Sequence, residues 1–282
     1  MPLRLPRLEE GAATAAIRGL LERNAPGMIA RFGSTEIKAV LWPRLPWVVK
    51  RLVERRVIMN MTVASGFFPP ARAAIERFSA LMYDDMGQLD ILGSWRPEEY
   101  LLRRHLLQVT RVPLTALEPY LSGHPWSESL EGRRVLVVHP FSRTIESQYN
   151  NHRQQLFEDR RVLPKFRSLA TIQAVQTIAG NKSQYSDWFQ ALDSMKVAMD
   201  ATNYDVAIIG CGAYGFALAA HAKRRGKLAV HLGGATQILF GIRGNRWDAD
   251  PQISRLYNQW WVRPAPEERV AGADRVENAC YW

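Results

Sequence analysis

The segment DVAIIGCGAYGFALAAHAKRRG, Asp205 to Gly226, constrains the fold more than any other stretch of the chain. Val206–Ile209 is a short apolar run that ends in glycine, the pattern of a strand buried on both faces. Gly210, Gly212 and Gly215 follow at once in a G-x-G-x-x-G spacing, and Tyr214–Arg225 continues as an alanine-rich helix. Strand, glycine turn and helix in this order belong to a parallel α/β sheet. Residues without Cβ let a ligand approach the backbone, and the first N–H groups of the helix can receive an anion. The same turn can also be a tight connection that binds nothing.

The rest of the chain alternates in the same way. Glu9–Arg23 has helical apolar spacing and is stopped by Asn24-Ala25-Pro26-Gly27. Met28–Phe32 reads as a buried strand, with Ser34 or Thr35 placed to cap a helix from Glu36. A basic helix is expected over Val48–Arg56 and an amphipathic one over Ala71–Tyr83. Leu89–Gly93 reads as a strand, and Arg96-Pro97-Glu98-Glu99 as a helix start. Strands are expected at Arg134–His139, Phe166–Leu169, Asp205–Gly210 and Lys227–His231. Helices are expected at Ser142–Phe157, with Ser142 or Thr144 as its cap, at Asp187–Ala201 and at Gly234–Gly241. The fold class is α/β: a Rossmann-like, doubly wound, mostly parallel sheet. One α/β domain is expected over residues 1–247, with an irregular tail over 248–282 packed on it.

Composition narrows the function. The chain has 282 residues, 47% of them hydrophobic and 23% charged, enough for a full core. No apolar run reaches membrane-spanning length, and the start MPLRLPRLEEG lacks the apolar stretch of a signal peptide. A cytoplasmic protein is the expectation. Two cysteines, Cys211 and Cys280, make neither a disulfide framework nor a zinc site. The net charge of +10 favours phosphate-bearing partners. Basic residues are scattered in pairs, and no base-reading motif is present, so specific nucleic-acid binding is not expected.

Four segments carry candidate chemistry. The first is the glycine turn, with Gly210, Gly212, Tyr214 and Gly215. A dinucleotide fold expects an acid at the end of the next strand for the ribose, and KLAVHLGG offers His231 instead. A simple nicotinamide dehydrogenase is therefore disfavoured, and a methyltransferase on the same ground. The second is HLGGATQILFGIRGNRW, where Gly233 and Gly234 open a helix and Gln237, Arg243 and Arg246 supply donors. Loops after adjacent parallel strands share one sheet edge, so these two segments should line one crevice. The third is VLVVHPFSRTIESQYNNH, with His139 and Glu146 as candidate acid–base groups. The fourth is MIARFGSTEIKAV, where Arg31 leaves a buried strand and needs an anionic partner. Gly33, Ser34 and Glu36 follow, and Glu36 either favours the helix dipole, holds a metal or acts as a base.

Together these segments resemble the bacterial GT-D fold glycosyltransferases. That family carries arginine, aromatic, glycine, aspartate, glycine, glutamate after a strand. Arg31, Phe32, Gly33 and Glu36 match, whereas Ser34 and Thr35 replace the aspartate and the second glycine. The family's D-x-E metal motif thus becomes S-x-E. The resemblance spans Met28–Trp247 and implies a nucleoside diphosphate sugar donor and a glycan or lipid-linked acceptor, in surface polysaccharide synthesis. It implies a role for Glu36 in metal or base work, with Glu146 and His139 behind it. A divalent ion, manganese or magnesium, would be held by Glu36 and phosphate oxygens; the alternative is transfer without metal, with Arg31, Arg243 and Arg246 offsetting the diphosphate charge. The basic surface and Trp260-Trp261 could keep the protein at the inner face of an anionic membrane, or the two tryptophans could simply pack. Two other readings stand beside this one: a different Rossmann-type enzyme (methyltransferase or nucleotide-dependent oxidoreductase), and a non-catalytic nucleotide-binding protein.

Overall fold

The computed structural model describes residues 6–23, 25–275 and 279–282. Asn24, part of the expected stop to the first helix, lies outside the described residues, as does the start of the MPLRLPRLEEG segment.

Seven strands form one sheet: β1 (Gly27–Ala30), β2 (Ile91–Ser94), β3 (Thr110–Pro113), β4 (Arg134–His139), β5 (Ser168–Gln173), β6 (Val206–Ile209) and β7 (Leu228–His231). Their order is β3-β2-β1-β7-β6-β4-β5, and every pairing is parallel. The four-residue runs GMIA, VAII and LAVH are buried at every position, because helices cover both sides of the central strands.

The helices fall into two layers. On one face lie α3 (Trp47–Ser65), α4 (Arg72–Asp85), α6 (Trp188–Asp200) and α7 (Tyr214–Arg224), around a core that includes Phe67, Phe78, Trp188 and Phe216. The short α2 (Glu36–Leu41) joins them through Ile37, Ala39 and Val40. On the other face lie α1 (Glu10–Glu22), α5 (Ser142–His152) and α8 (Ala235–Leu239), with Ile17, Trp126, Ile145, Phe240 and Trp261 in the core. Local chemistry sets several ends. Gly66, at φ 65°, closes α3 in the left-handed conformation. The Asp187 carboxylate accepts the Gln190 N–H at 2.8 Å to open α6.

The fold class expected from the pattern is present, and the sheet is wholly parallel. Several local expectations differ. β3 escaped prediction because its four residues, TRVP, form an edge strand with no apolar signature. α3 runs 19 residues, well past Arg56. The Arg96-Pro97 start opens a tight 3-10 segment, Pro97–His105, and not an α-helix. Its Glu99 carboxylate accepts from the Ser94 hydroxyl and from the Trp95 and Arg96 amides, which bends the chain at the end of β2.

The cap of α5 also differs. Neither Ser142 nor Thr144 caps it. The buried Glu268 carboxylate reaches in from the tail and accepts the Arg143 N–H at 2.8 Å, the Thr144 N–H at 3.3 Å and the Thr144 hydroxyl. Among the described residues beyond 247 the helical turns are short: α9 (Asn245–Asp248) at the junction, α10 (Pro251–Ser254), and 3-10 turns at Pro266–Glu268 and Ala273–Arg275. Ala279, Cys280 and Trp282 are buried. No helix among the described residues is long and apolar enough to cross a membrane.

Removing the Glu268 carboxylate leaves two amides and a hydroxyl at α5 without their partner. Glu268→Ala is expected to destabilise the fold by about 2–3 kcal/mol in chemical denaturation. An unchanged unfolding midpoint would mean that the tail contributes nothing to α5.

Candidate functional site

A cleft of about 580 Å³ opens at the carboxyl edge of the sheet. Residues following all seven strands reach it, from Arg31 after β1 to Gly233 after β7. Chains leaving β4 and β6 depart in opposite directions, to β5 and to β7, and the cleft covers that divergence. Open α/β sheets bind ligands at such a point.

The glycine turn forms the floor. At Gly210 a Cβ would stand 2.5 Å from Thr236 Oγ1, 2.6 Å from the Gly233 carbonyl and 2.7 Å from His139 Cδ2. Three strand ends therefore meet there only because Gly210 has no side chain. Gly212 has φ +55°, and a Cβ there would meet only the Ser65 carbonyl at 3.8 Å, an ordinary contact; the residue lines the cleft. A Cβ on Gly215 would strike the His231 imidazole. The third glycine lets α7 pack down on β7 and is not itself a ligand position. Tyr214 stacks on Trp188 at 4.8 Å with its hydroxyl in the interior.

Both histidines near the floor are neutral. His139 is buried, and burial lowers its pKa to about 3. Its Nδ1 accepts the Phe141 N–H at 3.0 Å, which places the ring proton on Nε2. A general base at His139 does not fit this geometry, since the basic nitrogen is already engaged. His231 is lowered to about 4, first by burial and then by Arg31, and its Nδ1 lies 3.2 Å from the Ile209 carbonyl.

One wall carries Arg31. Its Nε and Nη2 donate to the Phe32 carbonyl at 3.3 and 3.2 Å, and the guanidinium lies 4.7 Å from the Trp95 ring centre. The Trp95 indole N–H donates to the same carbonyl at 2.9 Å. Burial lowers the Arg31 pKa, against the opposing pull of Glu36. No carboxylate reaches ion-pair distance of Arg31 among the described residues. Glu36 lines the cleft with Ser34 and Thr35, and its carboxylate folds over Gly33, where a Cβ would meet it. Neither Ser34 nor Thr35 makes a side-chain cap on α2.

Glu118, just beyond β3, went unnoticed in the sequence. It lines the cleft, and burial raises its pKa to about 7 while Arg31 pulls it down. Nothing in the sequence marks it, because LTALEPY resembles any loop; only the topology carries it to the cleft. Trp95, Tyr281 and Trp282 were missed for the same reason.

The remaining candidates divide. Gly233 (φ +65°) and Gly234 border the cleft, with Gly234 under Tyr281 and Trp247. Arg246 lines it, with its guanidinium 4.9 Å from the Tyr281 ring centre. Gln237 also lines the cleft, but it is fully buried and its amide donates to the Ile242, Arg243 and Tyr281 carbonyls, so it clamps the tail. Arg243 does not line the cleft; it lies 3.7 Å from Asp248 and 4.7 Å from the Tyr257 ring centre. Glu146 is exposed on α5, outside the cleft. No group of three metal-ligating side chains assembles among the described residues.

The two glycines separate by mechanism. Gly215→Ala overpacks His231 and is expected to cost about 1–3 kcal/mol. In a His231→Ala background most of that cost should vanish. Gly212→Ala meets only its left-handed backbone, about 1–2 kcal/mol, in either background. Denaturation of the double-mutant cycle checks both; equal costs for Gly215→Ala with and without His231 would refute the contact.

No protein-family model matches the sequence, and no curated protein does. Three solved structures are similar in fold. A new glycosyltransferase of domain of unknown function 1792 from Streptococcus sanguinis is 14% identical, covers 93% of this chain and 100% of its own, and has a TM-score of 0.47. A selenomethionine-substituted structure of domain of unknown function 1792 is 12% identical, covers 92% and 94%, and has a TM-score of 0.46. A third, of the same domain and described as having a distinct glycosyltransferase fold, is 12% identical over 90% and 98%, with a TM-score of 0.43. Identities of 12–14% and TM-scores of 0.43–0.47 are too low to carry a function to this chain.

Proposed function

We propose that the protein is a glycosyltransferase that moves a sugar from a nucleoside diphosphate donor to a hydroxyl of a glycan or lipid-linked acceptor. The observation that carries this reading is Arg31, a cation sunk in the cleft wall with only a backbone carbonyl as hydrogen-bond partner. A desolvated cation without an ion pair calls for an anionic ligand. The glycine turn and Arg246, which line the same cleft, suit a diphosphate. Trp95, under Arg31, offers a flat apolar face for a base or a sugar ring.

The chemistry follows from these groups. The bond between the anomeric carbon and the diphosphate oxygen breaks, and its electron pair leaves on the diphosphate. Arg31 and Arg246 offset the charge that develops there. The acceptor hydroxyl forms the new bond to the anomeric carbon and gives its proton to a base. Glu118 suits that role better than His139 or Glu146, because its carboxyl is in the cleft and poised near pH 7. The donor set does not fit a dedicated metal cage, since Glu36 brings one carboxylate and Ser34 stands where the metal motif has aspartate.

Calorimetry with UDP-, GDP- and dTDP-sugars, with and without EDTA, tests the donor. One of them should bind, and Arg31→Ala should raise its Kd by about 10- to 100-fold. Binding of S-adenosylmethionine or NAD in place of every sugar nucleotide would refute the reading.

Glu118→Gln should lower kcat by about 100- to 10,000-fold with the donor Kd unchanged. As a base Glu118 works only when ionised, so wild-type kcat should rise with pH and level off above about 7. That limb should be absent in Glu118→Gln. A variant that keeps both rate and limb would remove Glu118 from the chemistry.

A further inference from the structure

We infer that the outer face of α3 docks on an anionic lipid bilayer. This inference is independent of the glycosyl-transfer reading. Trp47 is 74% exposed and Leu52 79%, and Val48 and Met59 each 49%, an unusual display of apolar surface on one helix. Val48, Leu52 and Met59 are spaced four and then seven residues apart, so they form one stripe along the helix. Arg51 and Arg55 border the stripe on one side and Arg56 on the other, all exposed. None of the three makes an ion pair among the described residues.

The acids near α3 are turned to the protein side. Glu54, the sole acid of the helix, faces Arg72 at 3.8 Å, and Lys50 is paired with Glu76 at 2.8 Å. The outward face is therefore apolar along its centre and cationic at its margins. Charge complementarity selects an anionic occupant, and the narrow stripe selects a bilayer. Arginines on both margins can place their guanidiniums among phosphate headgroups while their stems and the apolar stripe enter the acyl boundary. Trp47 at the N-terminal end suits the headgroup level.

The tail tryptophans are less suited. Trp261 is buried and donates its indole N–H to the Leu156 carbonyl at 3.0 Å, and Trp260 is only 37% exposed, against His152. Ala64 and Ser65, at the far end of α3, line the cleft.

Vesicle sedimentation tests the inference. The wild-type chain should bind vesicles of phosphatidylcholine with phosphatidylglycerol, and not phosphatidylcholine alone. Val48→Glu with Leu52→Glu should lower binding at least about tenfold. Arg51→Gln with Arg55→Gln should lower it by about fivefold per arginine. Trp260→Ala should leave it unchanged. These side chains are exposed, so melting temperature should stay constant; if the glutamate pair fails to fold, the glutamine pair decides alone. Absence of binding to anionic vesicles, or equal binding by the folded variants, would overturn the inference. So would a wild-type dimer in sedimentation velocity that the α3 variants dissociate, which would assign the face to a second copy.

Discussion

The carboxyl ends of β4, β6 and β7 converge on Gly210, and the rest of the site depends on the absence of a side chain there. Thr236, the Gly233 carbonyl and the His139 ring all stand within 2.7 Å of where a Cβ would be. A single methyl would push apart the loops that form the floor of the cleft. Gly215 does the same work one helical turn on, by letting His231 lie under α7. The two histidines are best understood from this crowding. Each is sealed by its neighbours and kept neutral by burial, so each spaces the floor instead of titrating into it. A glycine spacing often taken as a ligand signature is here partly a packing device. Of the three glycines in that spacing, Gly212, with its positive φ and its uncrowded place in the cleft lining, has the geometry of a backbone presented to a ligand.

The tail closes the structure from the other side. Glu268 fills the N-terminus of α5, an end that would otherwise attract an anion. The N-terminus of α7, by contrast, opens onto the cleft. The Asn245 and Arg246 amides donate to the Trp282 and Cys280 carbonyls, and Gln237 holds Tyr281. The loop bearing Arg246 is thereby tied to the last residues of the chain, and Tyr281 becomes part of the cleft wall. A segment that looks irregular in sequence thus sets the position of a candidate phosphate-binding arginine.

What could be read in the sequence was whatever depends on short-range pattern. The apolar runs within Asp205–Gly210, Lys227–His231 and Arg134–His139 read as buried strands, and they disclosed the sheet. Glycine spacing disclosed the turn, and Arg31 at the end of a buried strand disclosed one wall. Contacts between distant segments left no such trace. Glu268 caps a helix more than a hundred residues away, and Glu118 enters the cleft because β3 happens to pair with β2. Glu146 and Arg243 sat in promising stretches, but helical phase turns Glu146 outward, and Asp248 and Tyr257 hold Arg243 away.

The charge arrangement in the cleft also shows how an arginine can serve an anion at a wall where position 34 is serine and Glu36 is the nearby carboxylate. A metal and an arginine are alternative ways to offset a diphosphate, and they place different demands on the surroundings. A dedicated metal cage needs several carboxylates, which repel one another and the ligand until the ion arrives. Arg31 instead needs carboxylates kept outside contact distance, since an ion pair would occupy the guanidinium. Glu36 and Glu118 meet that condition: both pull on Arg31 electrostatically and neither bonds to it. An aspartate at position 34, between Gly33 and Glu36, would compete for the same cation. Ser34 is thus consistent with a cleft whose positive charge is left available to the ligand, and the raised pKa of Glu118 is the other consequence of the same low-dielectric setting.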